Sequence, residues 1–296
     1  MTMPPRPASP AATTSAVPTG AVPTTGVTTT AVTTPDPSRP RPRVDRPLVA
    51  FFIVAYLLPW TVWGSRIAEE HGWTTWHLPG GIALWTLMPV TLTTVALTGG
   101  RAGLADLGRR LVRWRVPGRW WAVAVALPLA LAAAAAALGA ALAGTAHLGE
   151  TLSLPASLTY LAYGVGLFLL TEEAAWRGVA LPRLMSRHSA LAASVILGVV
   201  WACWHLPTFL LASESDSAIP FWGFAVLTVA TSVITAWLYV GSGGSVLLCA
   251  VWHATVDAAY SYTGVVGHDH HAFWVAVVLE IAVAGGIVAR TGRSLR

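Results

Sequence analysis

Eight long apolar runs, separated by short stretches that hold most of the charge, constrain this chain more than any other feature. They fall at about 48–64, 80–98, 120–144, 157–175, 190–211, 221–240, 245–265 and 272–290. A helix needs roughly 20 apolar residues to cross a bilayer, and each run is close to that length. Only 10% of the residues are charged and 55% are hydrophobic, whereas an ordinary soluble domain carries about 25% charged residues. The expected fold class is therefore all-α: a polytopic membrane helical bundle of about eight transmembrane helices. The runs at 157–175 and 190–211 carry polar residues near one end, so either could be a broken or re-entrant helix.

The charges between the runs alternate in sign. The loops at 99–119 and 176–189 and the C-terminal end hold Arg101, Arg109, Arg110, Arg113, Arg115, Arg119, Arg177, Arg183, Arg187, Arg290, Arg293 and Arg296. The intervening loops hold Arg66 alone, with Glu69, Glu70, Glu150, Glu214, Asp216 and Asp269. Arginine collects on the cytoplasmic side of a membrane protein. An even number of spans with both termini in the cytoplasm, in a bacterial-type plasma membrane, satisfies this asymmetry. The net charge of +5 is thereby accounted for without nucleic acid, and no base-reading motif is present.

Residues 1–46 form a Pro/Thr/Ala-rich tail with no helical periodicity, a composition that cannot bury a core. Residues 47–296 form the membrane domain. Within it, Leu104, Leu107, Leu111 and Trp114 recur at helical spacing between Gly103 and Arg119, with arginines on the other face. This pattern predicts an amphipathic helix on the cytoplasmic leaflet. Trp60, Trp63, Trp73, Trp76, Trp120 and Trp121 sit near segment ends, where an interfacial aromatic belt is expected. The two cysteines, Cys203 and Cys249, lie inside apolar runs and form no disulfide or zinc-finger pattern.

Against this background a few ionisable residues stand out. A charge at mid-membrane costs about 2.5–3.5 kcal/mol on insertion scales, so such residues face an interior and do something there. Glu172 and Glu173 end the fourth run, with Arg177 following; Trp201 and His205 lie in the fifth; His253 and Asp257 lie in the seventh. Glu173 and Arg177, Trp201 and His205, and His253 and Asp257 are each four residues apart and share a helix face. Glu172 is turned by about 100° from Glu173 and can point toward neighbouring helices. The three polar edges should converge on one cavity.

Two chemistries suit that set. A carboxylate and an imidazole flanking a water can take its proton and deliver it to a leaving amine. Alternatively, Glu172, His205 and His253 could hold one divalent metal of the zinc type with an open position for water. Spacing does not choose between them. Neither His-Glu-x-x-His nor Gly-x-Ser-x-Gly occurs, and neither cysteine has an activating neighbourhood. Outside the set, His268-Asp269-His270-His271 offers an adventitious metal loop, and Glu280 suits an interhelical hydrogen bond. Gly241-Ser242-Gly243-Gly244 reads as a tight connection.

The ordered motifs Glu172-Glu173-x-x-x-Arg177, Trp201-x-x-x-His205 and His253-x-x-x-Asp257 resemble those of the CPBP family of intramembrane proteases, which includes the CAAX prenyl endopeptidases of the Rce1 type. The resemblance covers about residues 157–265. It implies that Glu172 and His205 activate water, that Glu173 and Arg177 support the site, and that His253 and Asp257 stabilise the oxyanion. Trp201 stands where phenylalanine is usual, and Asp257 where asparagine is usual; an ionised aspartate would repel an oxyanion, so Asp257 must be protonated, orient His253 or bind a metal, and the orienting role is preferred. The implied activity is endopeptidase cleavage of a membrane-associated peptide or protein, with membrane lipids as surroundings and an oligomeric state that the sequence leaves open. A proton-coupled transporter or an inactive membrane scaffold is the alternative. No obvious internal repeat of the transporter kind is present.

Overall fold

The computed structural model describes residue 2 and residues 45–145, 153–267 and 270–296. Apart from residues 2, 45 and 46, the expected N-terminal tail lies outside them, as do Glu150, His268 and Asp269.

Every one of the eight apolar runs is helical. We label the helices α1 (Arg46–Glu70), α2 (Leu87–Leu111), α3 (Gly118–Ala143), α4 (Leu154–Leu170), α5 (Ala190–Trp204), α6 (Phe221–Gly241), α7 (Val246–Tyr262) and α8 (His270–Thr291). A single turn, Ile82–Trp85, precedes α2. No strand occurs among the described residues. Among the described residues, six helical segments are long and apolar enough to cross a membrane. The other two, α4 and α7, have 17 residues each and so extend about 25 Å. These two shorter helices border the candidate site, so the bundle interior rather than lipid receives their polar faces.

The sequence sets the helix ends by local chemistry. Asp45 caps α1 by accepting the Leu48 amide at 3.1 Å, Ser189 caps α5 by accepting the Ala192 amide at 3.2 Å, and Ser245 caps α7 by accepting the Leu248 amide at 3.2 Å. The α6–α7 connection is as tight as its glycines suggest. Gly243 and Gly244 have φ of 71° and 87°, a region in which a side chain is strained.

The helices pack closely where side chains are smallest. On α5, a Cβ added to Gly198 would lie 2.8 Å from the Val229 backbone of α6, and one on Gly139 of α3 would lie 2.6 Å from the Ala272 backbone of α8. Such approaches let van der Waals contact hold apolar helices together where lipid gives no hydrophobic drive. Helix α3 packs on α7 and α8, α8 on α6, and α7 on α4.

Three expectations change. The amphipathic stretch is not a separate helix over 103–119. It continues α2 beyond a bend at Gly100 (φ 56°, ψ −151°) and stops at Leu111, and Pro117 caps α3. It is also tied to the protein, because Leu107 is buried and Arg110 donates to the Gly178 carbonyl at 2.9 Å. The tryptophans divide: Trp73 and Trp76 are exposed as a belt requires, but Trp63 and Trp120 are core residues. Trp63 packs edge-on against Trp204 at 4.8 Å. Arg177 is not a loop charge but a buried one.

Candidate active site

The fourth apolar run is broken where its polar residues begin. Helix α4 ends at Thr171 (φ −109°, ψ −90°), whose hydroxyl donates back to the Leu167 carbonyl at 2.7 Å. One helical turn, Glu172–Ala175, then passes into a wider π-helical turn, Trp176–Ala180, and a last piece, Leu181–Met185. Widened turns of this kind recur at functional sites. The break points two consecutive carboxylates in different directions within the bundle.

Glu172 is 2% exposed. Its Oε2 accepts the indole N–H of Trp201 at 2.6 Å and that of Trp176 at 3.3 Å. Glu173 is fully buried, and its Oε1 accepts from Arg177 at 2.9 Å and from His253 Nδ1 at 2.9 Å. The Arg177 guanidinium lies 4.6 Å from the centre of the Trp201 ring, within cation–π range. Glu173 Oε2 and Arg177 Nε and Nη2 have no hydrogen-bond partner among the described residues. The pair is thus compensated by one hydrogen bond, one aromatic face and one imidazole.

The two histidines are fixed differently. His205 ends α5, where the following Leu206-Pro207 starts a tighter turn. Its Nδ1 faces the Trp201 carbonyl at 3.0 Å, and a carbonyl only accepts, so Nδ1 carries the proton and Nε2 keeps its lone pair. Edge-on contacts with Trp204 at 4.8 Å and Phe224 at 5.2 Å hold the ring. His253 stacks flat on Phe168 at 3.9 Å and meets the Trp201 ring at 5.2 Å. With Nδ1 committed to Glu173, its Nε2 is the free ring nitrogen.

A cavity of about 400 Å³ is lined by Glu172, His205, His253 and Asp257 together, along with Phe168, Trp201 and Trp204. Glu173 and Arg177 are not in its wall but lie buried against it. The expected convergence of three polar edges is therefore present, with one inner pair behind four lining groups. Asp257 does not orient His253, because the sharing of a helix face does not bring the two into a hydrogen bond. Asp257 accepts from the Tyr160 hydroxyl at 3.2 Å, and Glu173 takes the His253 Nδ1 instead.

Among the described residues, no three His, Cys, Asp or Glu side chains are grouped so as to hold a metal ion. Glu172 keeps Oε1, and His205 and His253 each keep Nε2, as donors not taken by the surrounding residues. In this arrangement Glu172, His205 and His253 are not grouped around one ion. In the second possible metal loop, His270 is held by the Ala218 carbonyl at 2.9 Å.

Three functional neighbours escaped the sequence reading. Trp176 lies four residues after Glu172, and that spacing was a usable signal. Phe168, also four residues before Glu172, is a similar case, whereas Tyr160 joins Asp257 from another helix and gave no signal. Trp201 was legible only as an aromatic substitute for phenylalanine, although its N–H makes the shortest contact to Glu172. Glu280, by contrast, has its interhelical partners: Tyr260 of α7 donates at 2.7 Å, and Thr231 of α6 donates also.

Residues 154–259 match the family model for type II CAAX prenyl endopeptidases, Rce1-like. A CAAX prenyl protease 2 from Methanococcus maripaludis is 28% identical over 92 residues, a match spanning 29% of this chain and 34% of that protein. The matched segment contains all of Glu172, Glu173, Arg177, His205, His253 and Asp257. The chain is an integral membrane protein, and its residues 154–259 are similar to the Rce1-like CAAX prenyl endopeptidases.

Proposed function

We propose that the chain is an intramembrane endopeptidase that hydrolyses a peptide bond with a water activated by Glu172 and His205. The observation that carries this reading is the shared cavity, in which the Glu172 carboxylate and two imidazoles with committed Nδ1 atoms face the same space. The two indoles fix Glu172 through Oε2, so Oε1 is the oxygen that takes the proton of water. His205 Nε2 accepts a hydrogen bond from the same water and aims its lone pair. Hydroxide adds to the carbonyl carbon, and the C=O electron pair becomes an oxyanion.

His253 Nε2 supplies the donor for that oxyanion. As an imidazolium, balanced by Glu173, it presents Nε2–H between Phe168 and Trp201, and a fixed donor aimed at the developing charge is the largest kind of catalytic contribution. The flat stack on Phe168 and the Glu173 contact hold the ring, and Arg177 holds Glu173. The proton on Glu172 then passes to the amide nitrogen as the C–N bond breaks, giving a carboxyl product and an amine. Glu173 and Arg177 are positioning residues in this scheme. Asp257 with Tyr160 borders the substrate space, and the substrate is a peptide or protein segment at the membrane.

The test is cleavage of a quenched-fluorescent peptide library by purified protein in detergent. Glu172→Gln and His205→Ala should each abolish cleavage while thermal unfolding stays near that of the unaltered protein. Retained cleavage in either variant with its fold intact would refute the assignment.

A further inference from the structure

Among the described residues, the connections that line the cavity all lie at one end of the bundle, and they are the acidic ones. Helix by helix, the chain alternates between two ends. One end gathers the α1–α2, α5–α6 and α7–α8 connections, tied together by Arg66 donating to Ser213 at 2.8 Å, by the Arg66–Glu214 ion pair and by the Ala212 amide donating to Glu70 at 3.3 Å. The other end gathers the starts of α1 and α3, the α6–α7 connection and the end of α8. It is tied by Ser245 donating to the Arg113 carbonyl at 2.6 Å and by Arg183 pairing with Asp45 at 3.4 Å.

Cavity-lining residues in connections belong to the first end: Gly80 and Gly81 after α1, Glu214 and Ser215 before α6, and Val266 after α7. Ser261, in the last turn of α7, joins them, and Gly81, Ser215 and Ser261 are exposed. Toward the other end the space is closed. Cys249 and Leu248 are fully buried below His253, and the Glu173–Arg177 pair is fully buried beside it. Among the described residues, none of the cavity wall comes from the arginine-rich connections.

Those connections decide which side is which. The closed end carries Arg46, Arg101, Arg109, Arg110, Arg113, Arg115, Arg119, Arg183, Arg187, Arg290, Arg293 and Arg296, whereas Arg66 is the arginine of the open end. Removing Arg177 from the loop charges leaves the imbalance large. Arginine marks the cytoplasmic side.

We infer that the cavity is entered from the non-cytoplasmic face of the membrane. Resting on the endopeptidase reading, this makes the substrate a peptide segment displayed on that face, such as the juxtamembrane part of an exported or membrane-anchored protein. A peptide bond presented on the cytoplasmic surface meets the closed, arginine-rich end. Water enters and products leave on the open side.

Labelling of the full-length protein in right-side-out membrane vesicles tests the sidedness without needing catalysis. In a Cys203→Ser background, single cysteines replace Ser215, Ser261 or the exposed Arg115, and a membrane-impermeant maleimide is added. Ser215→Cys and Ser261→Cys should label in intact vesicles, and Arg115→Cys only after permeabilisation. Labelling of Arg115→Cys in intact vesicles, or failure of both serine-site variants to label there, overturns the inference. A second arm offers one cleavable peptide anchored on either face. Cleavage confined to the outward-facing copy supports the inference, and cleavage confined to the inward-facing copy overturns it. Correct labelling with neither copy cleaved leaves the entry side established and counts against the endopeptidase reading instead.

Discussion

Replacing Trp201 by phenylalanine isolates one hydrogen bond on which the proposed chemistry depends. The indole N–H donates to Glu172 Oε2 at 2.6 Å, with both residues buried. A hydrogen bond to a charged group is worth about 1.5–3 kcal/mol. Trp176, at 3.3 Å, is the longer and weaker donor and remains as the single indole on that oxygen. Phenylalanine keeps an aromatic face beneath the Arg177 guanidinium, so the cation–π contact largely survives, whereas Trp201→Leu removes both. If the lost bond weakens the placement of the ionised carboxylate, kcat should fall roughly tenfold to a hundredfold, since about 1.4 kcal/mol corresponds to a factor of ten. KM should change less.

A smaller ring also leaves a gap, and a double-mutant cycle separates that term. In a Glu172→Ala background the acceptor is gone, so Trp201→Phe should cost only the packing loss. The difference between the two backgrounds, read as unfolding free energy in detergent with a graded denaturing surfactant, should be about 1–3 kcal/mol. Equal costs in both backgrounds, together with an unchanged kcat, would refute the argument that Trp201 holds Glu172.

Arg177→Met should be far more damaging than its distance from the cavity suggests. It leaves Glu173 buried without its cation, a change worth about 3–5 kcal/mol, and a lowered unfolding midpoint in detergent would register it. Arg177→Lys should recover part of that loss. Exhaustive chelation followed by dialysis should leave peptide cleavage unchanged, because the donor groups of Glu172, His205 and His253 are not grouped around one ion. Loss of cleavage restored by added zinc would refute that expectation.

Hydropathy and residue spacing alone determined the helix count, the interior destination of Glu172, His205 and His253, and the pairing of Glu173 with Arg177. Those properties follow from the cost of placing a polar group in lipid and from the 3.6-residue repeat, which are local. Only the packed structure decided which carboxylate serves which histidine. Asp257 is four residues from His253, yet Glu173, 80 residues earlier, takes its Nδ1, because the break at Thr171 turns the second glutamate toward α7. The role of Trp201 was hidden for the same reason. A tryptophan in an apolar run looks like packing until a helix from elsewhere brings a carboxylate to its single N–H.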